Sequence, residues 1–119
     1  MDKSAWRECT LAAMDAVGTY RKSFDAAIDT LAEKGALRDY VRELFLESGG
    51  NVIVNHTNKA GATNIEQNPL LRMWNDLDRD LLAYWRDLGL TPAGLKRIDD
   101  QSMKQRKKSA LDEALSGIG

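Results

Sequence analysis

The chain has 119 residues, with 43% hydrophobic and 29% charged side chains, the composition of one ordinary globular domain. It has no apolar run of bilayer length and no apolar amino-terminal segment, so the pattern excludes a membrane-spanning helix and predicts no signal peptide. Cys9 is the only cysteine, which excludes an intramolecular disulfide and favours an intracellular protein.

The charges are unevenly distributed along the chain. Residues 1–95 carry a net charge of −3, residues 96–108 a net charge of +4, and residues 109–119 a net charge of −2. A mildly acidic body is therefore followed by one basic segment. Such a segment either neutralises the backbone phosphates of a nucleic acid or is only a solvated surface, and the pattern alone leaves both open.

Two apolar rows at seven-residue intervals predict a long first helix over residues 4–34. The rows are Val17, Phe24 and Leu31, and Met14 and Ile28. Gly35 is interpreted as the carboxyl-terminal cap of this helix, and a second helix is expected over residues 36–47.

β-Branched residues at 52–54 and 57, a turn at 59–61 and a return run at 62–65 predict a small β-hairpin within residues 51–67. An isolated two-stranded hairpin is marginally stable in water. We therefore expect it to pack on a helix or on a neighbouring chain.

Two helix starts of the same kind frame the next segment. Asn68-Pro69 and Thr91-Pro92 each place a capping side chain before a proline that already has helical φ. They predict a third helix over residues 69–88, ended by Gly89, and a short fourth helix from Pro92 to about Ile98.

The apolar face of the third helix is wider than a single helix contact needs. Two partners are expected for it, the first helix and another subunit. The predicted subunit-interface residues are Val17, Phe24, Leu31, Trp74, Leu81 and Trp85. Burial statistics favour a core or interface position for Trp74 and Trp85 over stacking on nucleic-acid bases.

Residues 99–119 are interpreted as a basic carboxyl-terminal tail, separate from a helical domain over residues 1–98. Ser102 and Gln105 have capping-box spacing, so a helix from Ser102 to Leu115 and a disordered tail are both consistent with the sequence. The predicted fold is mainly α: a helical-hairpin oligomerisation core, a small β-hairpin, a short carboxyl-terminal helix and a basic tail.

The sequence contains no pattern for catalysis or for metal binding. His56, the only histidine, is predicted to be an exposed hairpin side chain, and Cys9 a buried or half-buried helical residue rather than a nucleophile. Asp76, Asp78 and Asp80 lack the glycine and glutamate of a calcium loop, and no phosphate-binding glycine loop is present. We predict no catalytic residue, no metal and no cofactor.

The order of these segments resembles that of the phage terminase small subunits. The segments are EKGALRDYVRELF, Gly49-Gly50 before a β element, KAGATN, and QNPLLRMWNDLDRDLLAYWRDLGLTPAGLKRI. The most specific motifs are Asn68-Pro69-Leu70 and Leu88-Gly89-Leu90-Thr91-Pro92, followed by a basic pair, Lys96 and Arg97. The resemblance covers most of residues 12–98.

The resemblance implies a non-enzymatic subunit of a tailed phage that assembles into a homo-oligomeric ring. Such a ring binds double-stranded viral DNA and delivers it to the large terminase subunit, the packaging ATPase and nuclease, in the cytoplasm of the infected bacterium. It implies no membrane partner.

A basic recognition helix is missing from the sequence, because acidic residues offset Arg38 and Arg42 in the second helix. DNA contacts are therefore expected at helix ends and in the tail. The predicted DNA-binding residues are Lys3, Arg7, Arg21, Lys22, Lys104, Arg106, Lys107 and Lys108. The tail equally fits a docking segment for the large subunit.

Two other functions fit the same residues. A small helical DNA-binding transcriptional regulator predicts a low-order assembly that binds duplex DNA tightly and specifically. A protein-interaction module without DNA contact predicts that removing the tail charges leaves DNA retention unchanged.

Overall fold

The computed structural model describes residues 1–117, and its fold is mainly α, as predicted. Its elements are α1 (Lys3–Val17), a 3-10 turn (Lys22–Phe24), α2 (Asp25–Glu47), β1 (Ile53–Thr57), β2 (Thr63–Gln67), α3 (Pro69–Asp87) and α4 (Pro92–Ser116). α2 packs against both α1 and α3, forming a three-helix body. α4 leaves this body, so the molecule is elongated, with extents of 83 × 29 × 21 Å.

The predicted first helix is broken at Gly18, so the prediction of one continuous helix over residues 4–34 is wrong. Gly18 has a φ of 74°, and its N–H donates to the Asp15 carbonyl while the Thr19 N–H donates to the Met14 carbonyl. This pair of bonds is a Schellman motif, which ends a helix and reverses the chain. The residues after Gly18 therefore begin a separate helix that returns along α1.

Gly35 lies inside α2, so its prediction as a helix cap is also wrong, and residues 36–47 continue the same helix. A Cβ atom at Gly35 would lie 2.3 Å from Cδ2 of Trp6. The missing side chain therefore lets the indole ring of α1 lie directly on the α2 backbone.

The core lies between α1, α2 and α3. Its fully buried side chains are Met14, Ile28, Leu31, Ala32 and Leu81, with Trp6 and Leu88 at its margins. The predicted apolar rows supply three of these residues, because the rows remain on the inner faces of α1 and α2 after the chain reverses. Val17, at the end of α1, is 40% exposed.

The predicted β-hairpin is confirmed, with β1 and β2 antiparallel and Asn55 paired with Ile65. Its turn is held by Asn58, whose Oδ1 accepts from the N–H groups of Ala60 and Ala62. The base of the hairpin is tied to α3 by Asn68, whose Nδ2 donates to the Asn51 carbonyl at 2.9 Å. Beyond this anchor the strands are almost entirely exposed.

Both predicted helix starts are confirmed. The Asn68 side chain accepts from the Leu70 N–H, and the Thr91 side chain accepts from the Gly94 N–H at 3.1 Å. α4 begins in close contact with α3, since a Cβ atom at Gly94 would lie 2.0 Å from the Arg86 carbonyl oxygen.

The fourth helix does not end near Ile98 but continues to Ser116. Ser102 and Gln105 lie in its interior, so they do not form the cap suggested by their spacing. Of the two alternatives for the tail, the structure has the helical one, and the helix runs across the predicted boundary between residues 98 and 99.

Candidate nucleic-acid interface

Two of the predicted DNA-binding residues, Lys3 and Arg7, form ion pairs within the chain. Lys3 Nζ lies 2.9 Å from Glu33 Oε1 and 3.2 Å from Asp29, and Arg7 lies 3.8 Å from Asp29. The pKa of Lys3 is raised, because these two carboxylates accept its hydrogen bonds. Lys3 and Arg7 therefore join α1 to α2, and their charge is already largely balanced there.

The basic residues of α4 have the opposite surroundings. Lys104, Arg106, Lys107 and Lys108 are all exposed. Within residues 1–117, none of the four forms an ion pair. Their charge is therefore available to an external anion, and the helix holds them at fixed spacing.

The structure brings one amino-terminal basic residue next to this segment. Arg21 follows the reversal at Gly18, and it lines an open cleft together with Arg106 of α4. We call this the Arg21–Arg106 cleft. Its other polar side chains come from both sides. They are Thr19 of the reversal and Asp99, Ser102, Gln105, Ser109 and Glu113 of α4.

Lys22 begins the 3-10 turn and is exposed, but it does not line the cleft. The Arg21 side chain donates to the neighbouring Tyr20 carbonyl at 2.7 Å, which leaves further guanidinium N–H groups for other acceptors.

Sequence reasoning missed the hydroxyl groups of the cleft. Ser102 precedes Arg106 by four residues and Ser109 follows it by three, so all three share one helical face. This spacing is visible in the sequence, but it has meaning only if residues 99–116 are helical. The contribution of Thr19 depends on the reversal at Gly18, which the apolar rows concealed.

α2 does not offer a basic face for reading a DNA groove. The Arg38 guanidinium lies 5.7 Å from the Trp6 ring, and its Nε lies 2.9 Å from Asp78 Oδ1. The Arg42 guanidinium lies 5.7 Å from the Trp74 ring. Both arginines are therefore engaged in packing α2 against its neighbours.

The predicted subunit-interface residues have different positions in the fold. Leu31 and Leu81 are fully buried inside one chain, so in this fold they have no surface left for a neighbouring subunit. Phe24 is half-buried against the same core. Trp85 stacks on Trp6, with ring centroids 6.4 Å apart.

Trp74 is half-buried and contacts Phe45, with ring centroids 5.8 Å apart. Val17 lines an exposed apolar groove of about 540 Å³ between the end of α1 and the start of α4. The groove is otherwise lined by Ala13, Ala16, Gly89, Leu90, Thr91, Pro92 and Leu95. A subunit role for Val17, Phe24, Trp74 and Trp85 stays a prediction.

A contact at the start of the chain was also missed. Asp39 Oδ2 accepts from the Met1 amino group and from Trp6 Nε1, both at 2.8 Å. Burial raises the pKa of Asp39, whereas these two hydrogen bonds lower it. The lowering is the larger effect, so the pKa of Asp39 is below its ordinary value. Nothing in the local sequence pattern indicates this long-range contact.

The residues considered for chemistry are dispersed. His56 is exposed in the hairpin, 4.0 Å from Glu66, and Cys9 is exposed on α1, which corrects its predicted burial. In residues 1–117, no three potential metal-binding side chains cluster together. Over the same residues, no helix combines the length and the apolar composition needed to span a membrane.

The comparisons with known proteins give one match. A model of the family described as phage terminase, small subunit, matches residues 3–105, which include the body, the hairpin and the first half of α4. No curated protein and no solved structure is significantly similar. Since the family match spans most of the chain, this protein belongs to the phage terminase small-subunit family.

Proposed function

We propose that this chain forms a non-enzymatic ring that binds double-stranded viral DNA and delivers it to the large terminase subunit. Family membership supports a role in phage genome packaging. The ring, the DNA contact and the delivery step are our inference. The subunit would act without a cofactor, in the cytoplasm of the infected bacterium.

The exposed basic segment of α4 is the observation that carries the DNA-binding proposal. Lys104, Lys107 and Lys108 extend away from an acidic body on one continuous helix. Contacts between such side chains and DNA phosphates release counterions, which gives salt-dependent and sequence-independent binding. In a ring, many copies of this segment would act together, so weak individual contacts would give strong retention.

Ring assembly is supported by the apolar surface that one chain leaves exposed. The groove around Val17 lies at one side of the body, and large apolar side chains are exposed on the two other helices of the body. They include Leu37 and Tyr40 on α2 and Met73 and Leu82 on α3. A head-to-tail contact needs two different surfaces on one subunit, and such contacts form a ring when the rotation between neighbouring subunits closes.

Delivery to the large subunit needs a surface that the DNA contact does not use. The end of α4 provides one. Leu111 and Leu115 are 59% exposed there, and the acidic residues Asp112 and Glu113 lie between them. This end differs in charge from the basic segment before it, so the two segments can bind different partners.

A charge-neutralising variant tests the DNA contact. In the triple variant Lys104→Gln, Lys107→Gln and Lys108→Gln, we expect at least a tenfold loss of affinity for a duplex oligonucleotide. The slope of log affinity against log salt should fall by about 2.7, or about 0.9 per lost phosphate contact. Fluorescence anisotropy at several salt concentrations measures both quantities.

The matched control removes three positive charges elsewhere, with Lys59→Gln, Arg72→Gln and Arg79→Gln on the hairpin and α3. These residues are exposed, and they lie outside α4. Equal losses in the two triple variants would show that only net charge matters and would contradict the role of α4. Unchanged binding in the α4 variant would favour a protein-interaction module.

Light scattering at low and high salt tests the ring. We expect a salt-resistant mass well above that of a tetramer, because the proposed contacts are apolar. A monomer or dimer that binds one duplex sequence tightly would instead favour the transcriptional regulator.

A further inference from the structure

The Arg21–Arg106 cleft combines two cationic side chains from distant parts of the chain. Arg21 comes from the segment between α1 and α2, and Arg106 from the middle of α4. Within residues 1–117, neither forms an ion pair. Two arginine side chains that line the same open cleft without an ion-pair partner can bind an oxyanion there, because each guanidinium offers several N–H donors in a planar fork.

The hydroxyl groups of the cleft add donors of a second kind. Ser102 and Ser109 lie one helical turn before and after Arg106, on the same face of α4. Ser102 also lines the part of the cleft that reaches Thr19. Serine and threonine hydroxyls together with arginine are the side chains that commonly contact DNA phosphates.

Thr19 is a buried polar residue at the edge of the cleft. It is 3% exposed, and its Oγ1 has no hydrogen-bond partner among the described residues. A buried hydroxyl without a partner is destabilising, and such groups are rare in folded proteins. Thr19 lines the cleft beside Arg21 and Arg106, but its hydroxyl oxygen is covered by protein. The donors that a ligand in the cleft can reach are therefore those of Arg21, Arg106, Ser102 and Ser109.

The carboxylates of the cleft limit the charge of the ligand. Asp99 and Glu113 are seven residues before and after Arg106, which places each about 10 Å away along the helix axis. At moderate salt, charges about 10 Å apart are largely screened from each other. The carboxylates therefore do not cancel the positive charge at the centre of the cleft, although they repel anions at its two ends. This arrangement suits the single charge of a phosphodiester better than the multiple charges of a polyphosphate.

We propose that the Arg21–Arg106 cleft binds one backbone phosphate of duplex DNA. This assignment rests on the proposed DNA-binding function and adds a fixed point to it. The lysines of α4 attract DNA whatever the position of the duplex along the helix. A phosphate bound by two arginines and hydroxyl groups would instead fix the orientation of the duplex against α4.

A double-mutant cycle tests the assignment with duplex DNA. Arg21→Gln and Arg106→Gln should each lower affinity, and the double variant should lose little more than the stronger single variant, because both side chains contact one phosphate. Arg97→Gln is the control, since Arg97 is exposed on α4 and does not line the cleft. The loss of binding free energy caused by Arg97→Gln should add to the loss caused by Arg21→Gln. Additive losses in the Arg21–Arg106 pair would overturn the site.

Inorganic phosphate separates the site from the DNA function. At constant ionic strength, phosphate should shift the amide NMR signals of Thr19, Arg21, Ser102 and Arg106 in a saturable way, and the double variant should not respond. Scattered or absent shifts, with duplex binding intact, would overturn the cleft and leave the DNA proposal standing. Saturable shifts in a protein that binds no duplex would show a free-phosphate site and overturn the DNA assignment.

Discussion

The Trp6 indole of α1 lies directly on the backbone of Gly35 in α2, where no side chain separates the two helices. The same ring is stacked by Trp85 of α3, and its Nε1 donates to Asp39. One aromatic side chain therefore contacts all three helices of the body. This contact holds α1 against α2 and α3, in addition to the burial of Met14 in the core.

Replacing Gly35 by alanine should destabilise the protein by about 3 kcal/mol. The new Cβ would lie 2.3 Å from the Trp6 ring, so either the indole must move or α1 must separate from α2. Urea unfolding followed by tryptophan fluorescence measures the loss.

Gly117→Ala is the matched control for this substitution. Gly117 has a φ of −76°, and the nearest atoms to a Cβ there are 3.6 Å away. We expect its effect to stay within about 0.5 kcal/mol. A similarly small effect of Gly35→Ala would show that α1 does not pack through Trp6.

The contact between Asp39 and the Met1 amino group gives a defined pH dependence. The pKa of Asp39 is below its ordinary value of 3.8, so its contribution to stability is present above pH 3.8 and is lost as the pH falls through the folded pKa. The hydrogen bond to Asp39 raises the pKa of the amino group above 8.0, so its contribution is present below pH 8.0 and is lost at higher pH.

Urea unfolding of the wild type and of Asp39→Asn across the pH range tests this contact. The difference in unfolding free energy should be largest between pH 3.8 and pH 8.0 and should shrink on both sides. A difference that does not vary with pH would mean that Asp39 acts only through its hydrogen bond from Trp6.

Val17 and Leu31 were both predicted to lie at a subunit interface, and substitution separates their roles. Leu31→Ala should cost about 3 kcal/mol of unfolding free energy, because Leu31 is fully buried within one chain. Val17→Lys should leave the fold intact, since Val17 is exposed and a cation is tolerated at the end of a helix. It should lower the assembled mass seen by light scattering, because it places a charge in the apolar groove.

Val52→Lys is the control, since Val52 is 57% exposed on the hairpin, outside the groove. Dissociation by Val52→Lys with assembly intact in Val17→Lys would place the subunit contact on the hairpin and exclude the groove.

Asn68 has two roles, which distinguish it from the similar cap at Thr91. Asn68→Ala removes the cap of α3 and the bond to the Asn51 carbonyl, and it should cost about 1–2 kcal/mol. It should also increase amide hydrogen exchange throughout β1 and β2. Thr91→Ala removes only a helix cap and should cost about 1 kcal/mol without a change in the hairpin. Equal exchange in the two variants would contradict the anchoring role of Asn68.

Local signals in the sequence predicted the elements that depend on local chemistry. The capping residues Asn68 and Thr91, the prolines after them and the β-branched run of the hairpin each act within a few positions, and each is confirmed. The family was also recognised from these motifs, and the match over residues 3–105 confirms it.

The wrong predictions of helix boundaries concern two glycines, because a glycine can either end a helix or allow a close contact within one. The sequence predicts a helix that continues through Gly18 and ends at Gly35, whereas the helix ends at Gly18 and continues through Gly35, because a glycine that ends a helix and a glycine that admits an aromatic ring look the same in a sequence. Only the tertiary contact with Trp6 distinguishes them. The Arg21–Arg106 cleft could not be predicted for the same reason, since its parts meet only after the chain reverses at Gly18.

The attachment of α4 gives the molecule a mechanical property. The helix is about 37 Å long and is held closely at its first turn, by the Thr91 cap and the contact of Gly94 with the Arg86 carbonyl, while residues 103–116 are exposed. A rotation of about 10° at that turn would displace the far end by about 6 Å. A small change in the direction of α4 at the turn formed by Gly89-Leu90-Thr91-Pro92 would therefore produce a larger displacement of its basic and acidic segments.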